Sequence, residues 1–178
     1  MKLKALFITV IAVIMIFCSC TVQKSEIPTG MKLFSNDLVD YTAYVPESWI
    51  IGMSTATLSA YASSTDASSV TITAHALEAE DVSISLDDYW ARYEEQFKKT
   101  LSDMKYVGKT KKVTLDGKKA NQYTYTATVT DIEYKYMQTV CINNDNNTVY
   151  IITYTSTPDN FDTHIDDIGS IVDNFKFK

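Results

Sequence analysis

The chain opens with its longest hydrophobic segment. Lys2 and Lys4 come first, and residues 5–18 then form an uncharged run in which Thr9 is the single polar residue. A positive start, a short apolar run and a polar stretch after it form the pattern of an export signal. The run is also shorter than the roughly 20 residues that a membrane-spanning helix needs. The pattern therefore predicts a signal peptide over residues 1–19.

The hydrophobic run is followed by Ser19 and Cys20. A cysteine preceded by a small residue at this point resembles the lipobox of bacterial lipoproteins, which are cut before the cysteine and carry a lipid such as palmitate on it. Phe17 stands three positions before Cys20, where lipoboxes prefer leucine, and Cys18 stands two positions before it. The resemblance implies lipidation of Cys20, with an uncleaved N-terminal anchor as the alternative.

Polar residues without any period fill the next segment, which includes Pro28 and Gly30. We expect residues 20–32 to comprise the lipidated cysteine and a flexible tether. A single domain follows over residues 33–178, and its length suffices for a hydrophobic core.

Alternating apolar and polar positions predict strands in the first half of this domain. The segments concerned are residues 38–45, 50–53, 59–62 and 70–77. Pro46 ends the first of them because proline has no amide hydrogen to donate to a ladder.

Residues 85–104 have the period of an α-helix. Their apolar positions lie three and four residues apart in one stripe, which consists of Leu86, Trp90, Tyr93, Phe97, Leu101 and Met104. Ser85 can cap the amide of Asp88, and acidic residues suit the positive end of the helix dipole. The stripe predicts a long helix that packs on a sheet.

Turn residues connect four strand patterns in the second half of the domain. Asp116-Gly117 predicts a hairpin between residues 109–115 and 119–129, and Thr130-Asp131 predicts another into residues 132–142. The polar segment that follows would reverse the chain again. That turn covers residues 143–147, and a strand at 148–155 follows it. A helix is then predicted from Thr157-Pro158-Asp159, with Phe161, Ile165, Ile168 and Val172 on its buried face. The chain closes with a short strand that contains Phe175 and Phe177.

Together these patterns predict an α+β fold. A central antiparallel sheet of about six to seven strands would carry the long helix and the C-terminal helix as an α/β/α sandwich.

One face of the predicted sheet is rich in tyrosine. The second hairpin would place Tyr125 opposite Tyr136, beside Tyr123 and Tyr134. Such a row can stack on sugars or peptides, or it can form a half-buried floor beneath a helix. We favour the floor and keep Tyr125, Tyr134 and Tyr136 as candidates for ligand binding. The residues expected to cover the floor are Trp90 and Phe97.

His164 is the fourth candidate for ligand binding. It lies beside an acidic face of the last helix, formed by Asp159, Asp162, Asp166 and Asp173. We interpret that face as solvated, with a His164–Asp pair or a weak divalent-metal site as the functional alternatives. Zinc sites use three or four ligands, and residues 143–147 lack the glycine and terminal glutamate of a calcium loop. We therefore predict no metal site and no cofactor.

Composition narrows the possible functions. The 178-residue chain has net charge −6. Residues 1–19 hold two lysines and no acidic residues. Residues 20–178 therefore hold 14 basic and 22 acidic residues, which gives them a net charge of −8. Arg92 is the one arginine, which disfavours nucleic-acid binding. An acidic domain is repelled by anionic membranes, so membrane contact should come through the tether alone.

Cys141, in a strand pattern, is expected to be a buried small hydrophobe.

The order of several motifs resembles the PsbP-like family, which includes photosystem PsbP, DcrB-type proteins and several bacterial lipoproteins, and shares the Mog/PsbP fold. The motifs are Y-V-P-E-S-W at 44–49, S-L-D-D-Y-W at 85–90, L-D-G-K-K-A-N-Q-Y at 115–123, V-Y-I-I-T-Y-T-S at 149–156 and N-F-K-F at 174–177. The resemblance covers residues 33–178. It implies a central antiparallel sheet with packed helices, and an accessory, binding or assembly role.

These observations predict a lipid-anchored accessory or binding protein on the outer face of a bacterial membrane, with an envelope protein as its partner. The excess of lysine over arginine favours a Gram-positive source. A small-ligand or divalent-metal receptor is the alternative. No motif for a nucleophile elbow, a metalloprotease or a phosphate loop occurs, so we predict a non-enzymatic protein, with a hydrolase of unrecognised site as a third possibility.

Overall fold

The computed structural model describes residues 26–52 and 57–178. The signal peptide predicted over residues 1–19 and the lipidation site Cys20 lie outside these ranges. Met31 and Lys32, expected in the tether, belong to the first strand, and Met31 is buried. Folded structure thus begins before the expected boundary at residue 33, because Met31 pairs with Pro46.

Short strands surround a set of longer ones in the described ranges. In chain order the strands are β1 Met31–Leu33, β2 Tyr41–Thr42, β3 Tyr44–Pro46, β4 Ile50–Ile51, β5 Leu58–Tyr61, β6 Ser69–Ala76, β7 Ser102–Tyr106, β8 Lys111–Leu115, β9 Lys118–Val129, β10 Ile132–Asn143, β11 Thr148–Ser156 and β12 Lys176–Phe177. The helices are α1 Leu86–Phe97 and α2 Ile165–Asp173, each preceded by a 3-10 turn, at Ala79–Asp81 and Phe161–His164. Neither helix has the length and hydrophobicity to cross a membrane.

Eight of the described strands form one antiparallel sheet. Their order is β4-β5-β6-β11-β10-β9-β7, and β8 pairs with β9 next to β7. Outside this sheet, β1 pairs with β3, and β12 pairs with β2. The predicted α+β fold with a central antiparallel sheet is confirmed, although the sheet is larger than the expected six to seven strands.

Both predicted two-residue hairpins are confirmed. Asp116 and Gly117 have φ of 46° and 77°, and Thr130 and Asp131 have φ of 49° and 67°. Positive φ at both central residues gives the turn twist that matches a hairpin. The second turn sets the predicted register, with Tyr125 opposite Tyr136.

The long helix ends earlier than its apolar stripe predicts. A helix over residues 85–104 was expected, but α1 ends at Phe97 and the chain then enters β7. Leu101 and Met104 still pack against the same buried cluster as Trp90, so their hydrophobic contacts do not require a helix. Pairing of β7 with β9 instead satisfies backbone groups at the edge of the sheet.

Two further boundaries differ from the predictions. The strand expected at residues 38–45 is divided into β2 and β3 at Ala43, whose backbone bonds to Phe34 and to the Ser35 hydroxyl. Each half then pairs with a different strand. The last helix was expected from residue 157, but α2 begins at Ile165 after the 3-10 turn. The strand expected at residues 50–53 is β4, and residue 53 lies outside the described ranges.

The central strands bury side chains on both faces of the sheet, as expected for an α/β/α sandwich. The cluster between α1 and the sheet consists of Trp90, Tyr123, Tyr125, Ala127, Val140, Val149 and Ile151. The opposite face carries a larger cluster with α2, which includes Tyr41, Trp49, Tyr150, Ile152, Tyr154, Phe161, Ile168 and Phe175. Candidate functional residues therefore lie on both faces of the sheet.

Candidate functional site

An aromatic layer separates α1 from the sheet. The Trp90 and Tyr123 rings are parallel within 6°, with their centroids 3.9 Å apart. Phe97 and Tyr125 have centroids 6.4 Å apart. The prediction that Trp90 and Phe97 cover the tyrosines is confirmed. Tyr123 and Tyr125 are buried, so these rings form a floor beneath the helix.

Tyr134 and Tyr136 continue this layer toward the β9–β10 turn. Both are half-buried; Tyr136 stacks on Tyr125 at 5.1 Å, and Tyr134 lies 6.3 Å from Tyr136. The Tyr125 hydroxyl donates to Gln138 Oε1 at 2.8 Å, so its polar end is satisfied inside the fold. Tyr134 and Tyr136 are the members of the predicted row that keep partial access to solvent.

An open cleft lies between α1 and the connection from β7 to β8. We call it the α1 cleft. Its volume is about 630 Å³, and it is lined by Asp87, Trp90, Tyr106, Gly108, Lys109, Thr110 and Tyr123. Gly108 has φ +78°, a left-handed conformation that glycine adopts without steric cost. The turn at Gly108 thus carries Lys109 and Thr110 to the wall of the cleft.

Asp87 is held in the α1 cleft by its neighbours. Ser85 caps the helix by accepting a hydrogen bond from the Asp88 amide at 3.1 Å, which places Asp87 in the first turn. Asp87 Oδ1 accepts from Asn121 Nδ2 at 2.7 Å and from Lys112 Nζ at 3.3 Å. Asn121 is almost fully buried, so it fixes this carboxylate from below.

Tyr106 forms the exposed aromatic wall of the α1 cleft. Trp90 Nε1 donates to the Tyr106 hydroxyl at 2.6 Å. Burial of the phenol and the neighbouring Glu94 raise the pKa of Tyr106, so the hydroxyl stays protonated at neutral pH. The residue as a whole is nevertheless 47% exposed. Tyr106 is therefore a rigid aromatic side chain whose ring faces solvent.

His164 lies on the opposite face of the sheet, away from the tyrosine candidates. Its Nδ1 is 3.0 Å from Asp167 Oδ2, and its Nε2 is 3.0 Å from Asp66 Oδ2. The Trp49 ring packs edge-on against it at 5.4 Å, and Trp49 Nε1 donates to Asp167 at 3.3 Å. A His164–Asp pair, which the sequence offered only as an alternative, is present, but its partners are not among the four aspartates of the expected acidic face.

The charges of this histidine cluster favour an imidazolium. Burial opposes protonation of His164, but its hydrogen bonds to Asp167 and Asp66 outweigh burial and raise its pKa. Hydrogen bonds from Ser68, followed by that from His164, lower the pKa of Asp66 to about 2. Both ring nitrogens then donate to carboxylates, which leaves neither one as a metal ligand.

Two other predicted features have structural roles. Cys141 is fully buried, and burial raises the pKa of its thiol to about 11, so it is the expected small hydrophobe. In the turn after β10, Asn143 Oδ1 accepts from the Asp145 amide at 3.1 Å, and Asn146 donates to the Tyr150 hydroxyl at 2.8 Å. Within residues 26–52 and 57–178, no group of three or more His, Cys, Asp or Glu residues is arranged to hold a metal ion.

The α1 cleft contains residues that sequence reasoning did not select. Asp87 was interpreted only as an acidic residue that suits the positive end of the helix dipole, and Tyr106 and Lys109 were not considered. Because a helix was expected through residue 104, the strand that carries Tyr106 was not predicted. A possible signal was Tyr106-Val107 before Gly108, an apolar pair next to a turn residue.

Comparison with solved structures supports the fold. CyanoP, the cyanobacterial PsbP of Synechocystis sp. PCC 6803, is 13% identical with a TM-score of 0.61, and the match covers 84% of this chain and 93% of that one. The Ran-binding protein Mog1p of Saccharomyces cerevisiae is 10% identical with a TM-score of 0.63, over 83% and 95% of the two chains. PA94 of Pseudomonas aeruginosa, a protein of unknown function, is 21% identical with a TM-score of 0.54, over 79% and 92%.

Sequence comparisons give a family but no individual relative. Comparison with curated proteins finds no match. The family model described as PsbP-like protein matches residues 17–177, which is most of the chain. The chain therefore belongs to the PsbP-like protein family.

Proposed function

We propose that the protein is a lipid-anchored accessory or binding protein of the bacterial cell envelope. Cys20 would carry the lipid, the tether would follow it, and the domain would stand on the outer face of the membrane without catalytic activity. The proposed partner is another envelope protein. The acidic domain, with net charge −8 over residues 20–178, fits attachment by a lipid better than attachment by charge.

The proposal that the protein has no catalytic activity rests on one observation. Its reactive side chains are buried or already hydrogen-bonded within the fold. His164 contacts carboxylates through both ring nitrogens. Cys141 is fully buried. A general base or nucleophile must reach its substrate, so these placements support a binding role over a catalytic one.

Structural relatives support the same inference by analogy. The yeast relative Mog1p is described as a Ran-binding protein, and CyanoP as a cyanobacterial PsbP. A fold shared at such low identity does not carry a specific partner from one protein to another. We infer only that this chain also acts by binding.

A test of the anchor compares Cys20→Ala with Cys18→Ala. We expect the wild type and Cys18→Ala to fractionate with membranes at the mass of a chain cut before Cys20 and lipidated. Cys20→Ala should lose the lipid and the processed mass, because only a cysteine at the cleavage site can receive the thioether. Mass spectrometry and membrane fractionation measure both effects, and cross-linking in intact cells identifies the partner.

The two alanine variants also make the test specific. Cys18 lies in the segment that would be removed, so its substitution controls for changes to the hydrophobic run. Membrane attachment of Cys20→Ala at the processed mass would contradict the anchor. Recovery of no specific cross-linked protein from wild-type cells would contradict the accessory role.

A small-ligand receptor is the second candidate function. The α1 cleft favours it, because aromatic walls with a few fixed polar groups are typical of ligand sites. A divalent-metal receptor would use the His164 cluster. There the metal would compete with two hydrogen-bonded carboxylates for the imidazole.

A further inference from the structure

We propose that the α1 cleft binds a neutral oligosaccharide, with a sugar ring stacked on Tyr106 and its hydroxyl groups bonded to Asp87 and Lys109. This inference rests on the proposed role as a binding protein. It does not depend on the lipid at Cys20, and it names a ligand class for a site that contains none of the four residues chosen from the sequence as candidates for ligand binding.

The first support is the exposed aromatic ring. Pyranose rings carry C–H groups on one face, and these pack favourably on the face of an aromatic side chain. Tyr106 is 47% exposed, yet its hydroxyl accepts from Trp90 Nε1 at 2.6 Å. A ring that is already held in place loses little conformational entropy when a ligand binds.

The second support is the arrangement of polar groups around that ring. Asp87 Oδ1 accepts from Asn121 and Lys112, while Oδ2 has no hydrogen bond within the described ranges. The Asp87 side chain is 73% exposed, so Oδ2 can accept from a ligand hydroxyl. Lys109 and Thr110 on the opposite wall supply donors. Sugar hydroxyls both donate and accept, and therefore suit this mixture.

Charge and size make other ligands less suitable. The charged residues that line the cleft are one aspartate, Asp87, and one lysine, Lys109, so their charges balance and suit a neutral ligand better than a phosphate. Arg92, the one arginine of the chain, pairs with Asp81 in another cleft. A volume of about 630 Å³ lies within the range of small-molecule sites and can receive a short oligosaccharide.

The test uses the full chain, purified in a detergent without a sugar headgroup. The probes are chitotriose, cellotriose and maltotriose, and binding is measured by saturation-transfer NMR and calorimetry. We expect at least one trisaccharide to bind with a dissociation constant of about 1 mM or lower. Tyr106→Ala should weaken this binding at least about tenfold, whereas Tyr106→Phe, which keeps the ring, should change it less than about threefold.

A matched control and a second variant sharpen the result. Tyr61 is 42% exposed on β5, away from the cleft, so Tyr61→Ala should leave affinity unchanged. Asp87→Asn should weaken binding about three- to tenfold, because the acceptor loses its charge. Far-UV circular dichroism checks that each variant is folded.

Two results would overturn the oligosaccharide proposal. One is the absence of binding by all three probes at about 10 mM, a concentration roughly tenfold above the expected dissociation constant. The other is equal affinity in the wild type, Tyr106→Ala and Asp87→Asn. Membrane attachment and partner cross-linking are measured separately in cells, so failure here leaves the test of the accessory role intact.

Discussion

His164 connects three separate parts of the chain through one imidazole. Asp66 belongs to the loop between β5 and β6, Asp167 lies in α2, and Trp49 precedes β4. The side chain is only 16% exposed, so water screens these interactions weakly. We infer that protonation of His164 stabilises the packing of α2 on the sheet.

Stability should depend on pH at this residue. The pKa of His164 is raised in the folded state, so its contribution is complete below the unfolded value of about 6.5 and is lost as pH rises through the folded value. The pKa of Asp66 is lowered to about 2, so its contribution is present above its ordinary value of 3.8 and is lost toward pH 2. We expect His164→Gln to lower the unfolding free energy by about 2 kcal/mol near pH 5, and by less near pH 8.5.

Urea denaturation at both pH values measures this difference, with His75→Gln as the control. Burial lowers the pKa of His75, so the pH trend of that variant should not follow the trend of His164→Gln. An equal loss in His164→Gln at both pH values would show that folding does not raise the pKa of His164.

In this fold, the turns are set by local residues, whereas the end of a helix is set by contacts with distant segments. The turns at Asp116-Gly117 and Thr130-Asp131 depend on residues that accept positive φ, which is a local property. The end of α1 at Phe97 depends instead on β7 pairing with β9. A hydrophobic stripe therefore predicted the face of the helix correctly but not its length.

Two alanine substitutions should have opposite effects on stability. Gly117 has φ +77°, so Gly117→Ala should destabilise the protein by about 1 kcal/mol. Gly169 lies inside α2 without positive φ, and a Cβ there would meet no atom within 4 Å, so Gly169→Ala should stabilise by about 0.5–1 kcal/mol. Thermal and urea unfolding of both variants measure these changes, and a stabilising Gly117→Ala would contradict the turn geometry.

One sheet supports both buried clusters of the molecule. Side chains on alternate positions of β9, β10 and β11 enter opposite clusters, one beneath α1 and one with α2. The last strand also packs against an early one, because β12 pairs with β2 and Phe175 stacks on Tyr41 at 5.2 Å. Neither face can lose its packing without exposing the sheet that holds the other.

The two tryptophans allow this cooperativity to be tested. Trp49 lies in the cluster with α2 and Trp90 in the cluster beneath α1. In Trp49→Phe and Trp90→Phe, the remaining tryptophan reports one face, and we expect its fluorescence transition in urea to coincide with the loss of far-UV circular dichroism. Separate midpoints in either variant would show that the two faces unfold independently.

The sequence by itself determined the features that depend on nearby residues. These are the α+β class, the cap at Ser85, both hairpin turns, the register of Tyr125 with Tyr136, and the contact of Trp90 with the tyrosine floor. Turn chemistry and alternation act over a few residues, so their outcome can be derived without knowledge of the rest of the fold.

Only the tertiary structure decided the features that join distant segments. Asp66 reaches His164 across 98 positions, and Trp90 reaches Tyr106 only because α1 stops at Phe97 and β7 returns beside it. Such contacts follow from how elements pack, since no local pattern specifies which loop meets which helix end. The α1 cleft arises in this way: its lining residues come from three elements and one loop, which only packing brings together.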